Sequence, residues 1–159
     1  MKQLLEYQFD YRVKQTKSQT KKHYKQFTPD EKSILASIVK SIRSHSDNLQ
    51  LSNHTKNHIP FFSLKLASQV LESCYIIEFN LTTKHGTESP RVLLRSKKVL
   101  PIIVEGKVEN ANVCMVLDIK SNQIITAYLN TCSDKHSTIH MDRYTDKLDI
   151  KKIIHNLQN

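Results

Sequence analysis

Two histidines four residues apart, His54 and His58, are the first side chains in this chain whose type and spacing suit chemistry. On a helix such a pair shares one face and can chelate a cation. The metalloprotease version of the motif needs Glu directly after the first histidine; Thr55 stands there and no third ligand is evident, so no metal cofactor is expected. The other roles open to His54 are proton exchange near neutral pH, phosphate binding, or a plain surface or core position. A second group lies in Tyr128-Leu129-Asn130-Thr131-Cys132-Ser133-Asp134-Lys135-His136-Ser137-Thr138, where an apolar run gives way to a loop dense in polar groups. Here Asn130 can orient a substrate, Lys135 can neutralise a phosphate and His136 can move a proton. The competing reading is an Asp/Asn/Ser-rich turn that satisfies its own backbone. A third group is Arg91 and Arg95, four apart and therefore on one face of a strand, with Lys97 and Lys98 following. Two arginines beside a histidine loop make a phosphate clamp, although charges on the open face of an antiparallel sheet are ordinary.

The elements that position these groups are read from periodicity. Thr28-Pro29-Asp30-Glu31 starts a helix, with Thr28 as cap and Glu31 closing the capping box. Ile34, Leu35, Ile38, Val39 and Ile42 give it one apolar face, ending near Ser44. Ser52 caps a short helix carrying both histidines, which Pro60 ends. Ser63 caps another, with Leu64, Ala67, Val70 and Leu71 as its buried stripe. From Cys74 the period changes to that of strands: Tyr75–Asn80, a turn over Lys84–Pro90, and Arg91–Arg95, with Val99–Val104 an extension or a separate edge strand. Val113–Ile119 and Ile124–Asn130 make a hairpin, a polar loop covers Thr131–Thr145, and Ile150, Ile153, Ile154 and Leu157 place a closing helix. The expected architecture is α+β: N-terminal helices packed on a small antiparallel sheet, with a C-terminal helix. Residues 28–159 form one domain behind a basic arm, 1–27, in which lysines alternate with Tyr7, Phe9, Tyr11, Tyr24 and Phe27.

Lys and Arg number 24 against 15 acids, a formal charge of +9, which favours a polyanionic partner, RNA before an anionic membrane. The bland alternative is a basic surface kept for solubility or for an acidic protein. Cys74, Cys114 and Cys132 are scattered, with no Cys-x-x-Cys pair, which argues against a disulfide or zinc framework. With no signal-peptide pattern at Met1–Glu6 and no apolar stretch able to span a bilayer, a cytoplasmic protein that leaves membranes alone is expected.

Leu51-Ser52-Asn53-His54, the strand Arg91-Val92-Leu93-Leu94-Arg95 and the ending Ile124–Asn130, Asp134–Thr138 and Tyr144 together resemble the barnase–EndoU–colicin–RelE-like ribonuclease superfamily, in its small toxin and phage-encoded members. The resemblance covers about residues 49–145. It departs at His58, where such sequences often carry Arg, and at Ile59-Pro60, where a Gly is usual. It implies RNA cleavage without a metal ion or small-molecule cofactor, by attack of the ribose 2′-oxygen on the adjacent phosphorus, and a possible antitoxin or immunity protein as partner. By that resemblance His54 and His136 are the acid–base pair, and Arg91 or Arg95, with Lys135, binds phosphate. Asn130, Thr138 and Tyr144 position the substrate, with His58 beside them. The other function carried forward is a protein that binds nucleic acid, or inhibits an enzyme, without cutting.

Overall fold

The computed structural model describes residues 5–6, 29–82, 88–132 and 149–158. The apolar stripe that begins after Pro29 forms helix α1 (Pro29–His45), which buries Leu35, Ile38, Val39 and Ile42. Its expected cap, Thr28, lies outside the described residues. A single 3-10 turn (Ser46–Asn48) leads to a two-residue strand, β2 (Gln50–Leu51), and then to α2 (Asn53–His58). Ser52 caps α2 as its position requires, accepting from the Thr55 amide. Ser63 does the same for α3 (Leu64–Glu72) through the Leu66 amide. One expectation for α3 is corrected: Leu64 is exposed, while Ala67 and Val70 are buried. Leu64 is the first residue after the cap, and the inward face begins instead at Leu66, which packs against the core.

Four long strands follow: β3 (Cys74–Thr82), β4 (Glu88–Val104), β5 (Lys107–Asp118) and β6 (Gln123–Thr131). They pair antiparallel in chain order. The segment Val99–Val104 is an extension of β4, reached through a register shift between Arg95 and Val99. At 17 residues β4 is long enough to serve two neighbours on one edge. It pairs β3 up to Ser96, and further along it pairs β1 (Leu5–Glu6) at Ile102 and Ile103. Both β1 and β2 run parallel to their partners, so the expected antiparallel sheet is a mixed one of six strands. These parallel pairs involve chain segments far apart in sequence, which no local pattern announces. The β4–β5 turn places Glu105 and Gly106 at φ 51° and 78°, the left-handed pair that a two-residue hairpin needs to match strand twist. At the β5–β6 turn Asp118 accepts from the Lys120 and Ser121 amides.

Helix α4 (Ile150–Gln158) closes the described chain and packs on α1 and β3. Asp149 caps it by accepting from the Lys151 amide, and its carboxylate lies 2.6 Å from Lys97 Nζ. The core joins the inner faces of α1 and α3 to one face of the sheet: Val92, Leu94, Val113, Met115, Leu117, Ile124, Ala127 and Leu129. The result is an α+β fold with helices both before and after the long strands.

Candidate active site

Alternation along the strands sends one set of side chains to that core and the other set to the opposite face. On the opposite face Tyr75, Arg95, Cys114 and Tyr128 stand in register across β3, β4, β5 and β6. Asn112 and Asn130 form the next row on β5 and β6. A face of this kind is expected to be open to water. Instead Arg95 is 1 % exposed, Asn130 3 % and Asn112 6 %. Burying a guanidinium is costly unless it is hydrogen-bonded. Arg95 Nη2 donates to Asn112 Oδ1 at 2.6 Å.

Asn112 is the hub of this cluster. Its amide donates to the Ser96 carbonyl at 2.7 Å, on the irregular stretch of β4. Ser96 Oγ accepts from the Val113 amide and donates to the Lys98 carbonyl. Cys132 Sγ reaches Asn112 Oδ1 at 3.4 Å. The end of β6 is thereby tied to the row that holds Arg95. Asn130 donates to the Thr131 carbonyl. Sequence reasoning singled out Arg95 and Asn130 but missed Asn112 and Ser96. The available signal was Asn112 two residues before Cys114, at the head of the apolar run Val113–Leu117, a polar side chain on the same face as Arg95.

Arg91 shares the face but has a different partner: its Nε lies 3.7 Å from Asp118 Oδ2, and its side chain is 42 % exposed. The Nε atom itself is buried without a hydrogen bond. Four residues along a strand are roughly 13 Å, so Arg91 and Arg95 serve separate places on the sheet.

His54 and His58 are together with each other and apart from Arg95. Both are exposed on α2, with ring centroids 5.3 Å apart. The helix is pinned to the edge of β6 by its other face. Ser52 N and Thr55 Oγ1 both donate to the Ile124 carbonyl, and Ser52 Oγ donates to Ile125. Thr55 is fully buried there. Ile124 is four residues along β6 from Tyr128, the residue in register with Cys114 and Arg95. That separates the histidine helix from Arg95 by about 13 Å along the strands and about 10 Å across two of them. The α2 end of the sheet is the end that holds Arg91, since Asp118 pairs with both Arg91 and Gln123. Lys135, His136, Thr138 and Tyr144, which come 3 to 12 residues after Cys132 in the chain, lie outside the described residues.

Lys97, grouped with the arginines by sequence, is occupied by Asp149 and lies over the Tyr75 ring, 5.4 Å from its centroid. Cys74 is buried beside this pair. Burial pushes its thiol well above the ordinary range, the Asp149 carboxylate adds to the effect, and Lys97 opposes it. Among the described residues no cluster of three His, Cys, Asp or Glu side chains converges on one point, and no helix is long and apolar enough to cross a membrane. Comparison with known proteins finds no matching family model, curated sequence or solved structure.

Proposed function

We propose that the chain is an endoribonuclease of toxin or phage type that cleaves RNA by attack of the ribose 2′-hydroxyl, without a metal ion. The observation that carries this reading is the polar row on the sheet. Arg95, Tyr75, Tyr128, Asn112 and Asn130 share one face, and Cys132, bonded to that row, is four residues before His136. In this reading His136 moves the proton at the ribose or at the departing 5′-oxygen. Lys135 and Arg95 stabilise the charge that accumulates on the phosphate oxygens. Asn130, Thr138 and Tyr144 hold the nucleotide. His54, His58 and Arg91 sit toward the α2 end of the sheet, away from Arg95, where they suit contacts to a neighbouring stretch of the RNA. The net charge of +9 supplies the long-range attraction. An antitoxin or immunity protein would meet the same surface with acidic groups.

The second reading, a non-catalytic nucleic-acid-binding or inhibitory protein, is favoured by the burial of Arg95. A guanidinium 1 % exposed and bonded to Asn112 serves the fold without touching a ligand.

The deciding experiment incubates purified protein with total RNA in the presence of a chelator and resolves the products on a gel. The cleavage reading expects fragments with 2′,3′-cyclic phosphate ends, and His136→Ala slower by about a hundredfold or more with affinity retained. Intact RNA that is nevertheless bound supports the second reading. Intact RNA with no binding rejects cleavage and RNA binding, and leaves DNA binding or enzyme inhibition within the second reading.

A further inference from the structure

We infer that His54 and His58 form a two-histidine binding site for a divalent transition-metal ion of the zinc class, at the outer edge of β6. An imidazole centroid lies about 1.2 Å behind its ligating nitrogen, and zinc–nitrogen bonds are about 2.0–2.1 Å, so each centroid would stand roughly 3.2 Å from a shared ion; a tetrahedral angle then separates the centroids by about 5.2 Å. The observed separation is 5.3 Å, with the ring planes inclined by 35°. The two rings are therefore already spaced as chelation requires.

The helix that carries them is held in place before any ion arrives. Ser52 and Thr55 fasten the first turn of α2 to the Ile124 and Ile125 carbonyls, and the Ile59 amide closes the last turn on the Thr55 carbonyl. Buried Thr55 and Ile59 face inward while His54 and His58 face water. Binding thus costs little ordering of the backbone, the usual expense of assembling a site from mobile parts. Imidazole nitrogen selects zinc, copper and nickel over magnesium and calcium, which prefer oxygen. Water completes the coordination shell, since the site has two protein ligands. The inference does not rest on the cleavage proposal. If His54 does contact RNA, a bound ion would compete with that contact.

The test is titration of the full chain with zinc chloride at pH 7.5, followed by calorimetry. The expected result is a site that loses about tenfold or more in affinity in His54→Asn and again in His58→Asn, each removing one of two ligands. His155→Asn, at an exposed histidine on α4, serves as the control and should bind as the parent does. All three positions are exposed, and unchanged thermal unfolding of the ion-free variants confirms that they fold. Failure of the parent chain to bind zinc at millimolar concentration overturns the inference. So does binding that survives unchanged in the double variant His54→Asn/His58→Asn, because the ion would then be held elsewhere.

Discussion

Asn112 illustrates how much of a buried polar cluster can rest on one neutral side chain. It accepts from Arg95 and donates to Ser96, and it meets Cys132 as well. Asn112→Ala strips a bond from a buried guanidinium and from a backbone carbonyl together, so a loss of about 2–3 kcal/mol is expected in urea denaturation. A loss within error would mean that Arg95 is held by its other contacts. Cys74 makes a second residue-scale prediction. Its folded-state pKa is raised, chiefly by burial, so the unfolded chain releases this proton first as pH rises. The stabilisation is complete below the unfolded thiol range, near pH 8.5, and declines above it. Stability should fall between about pH 9 and 10.5, and less steeply in Cys74→Ala. Equal slopes in parent and variant would remove Cys74 as the cause. Of the described thiols only Cys132 is exposed, and it is the one expected to react promptly with a thiol reagent in the folded protein.

At the scale of elements, α2 shows a short helix made stable by its neighbours. Six residues are too few to hold a helix in water alone. The Ser52 cap and the bond from buried Thr55 to Ile124 supply what propensity does not. Thr55→Val keeps the side-chain volume and removes that donor, which should cost about 1–2 kcal/mol and speed amide exchange in α2 more than in β5. Uniform exchange across both elements would show that the pin is dispensable. The Asp149–Lys97 pair does a related job at the other end of the chain. It fixes the start of α4 against the edge where β3 and β4 meet, with Tyr75 packed under the ammonium. The carboxylate is 2 % exposed, so its partner matters more than in an ordinary surface pair.

For the molecule as a whole, the surplus of 24 basic over 15 acidic residues sets the behaviour toward polyanions. If RNA is the partner, affinity should fall steeply between low and physiological salt as Lys and Arg contacts release counterions. A flat response in filter binding would sink the polyanion reading. Deleting residues 1–25 removes six of those lysines and also β1, the two-residue strand on Ile102 and Ile103. The four long strands and the α-helices of the described residues lie downstream, so cooperative unfolding should persist while RNA binding weakens. Loss of cooperativity would make the N-terminal segment part of the core.

What the sequence by itself determined is what short-range physics controls. The caps at Ser52 and Ser63, the stripe from Leu35 to Ile42, the break at Pro60 and the β5–β6 hairpin are each legible within a short stretch of chain, at most about twenty residues. In each case the deciding interactions run to near neighbours in the chain. The joining of Val99–Val104 to β4 and the parallel pairings of β1 and β2 were decided by tertiary structure, because strand partners come from distant sequence. The same holds for the candidate site. Arg91 and Arg95 read correctly as sharing a face, yet only cross-strand register could put Asn112 on Arg95 and Asp118 on Arg91. Burial of that face, and the distance between the α2 histidines and Arg95, are likewise properties of the assembled sheet: they depend on which edge α2 is bonded to, and no residue type or spacing encodes that.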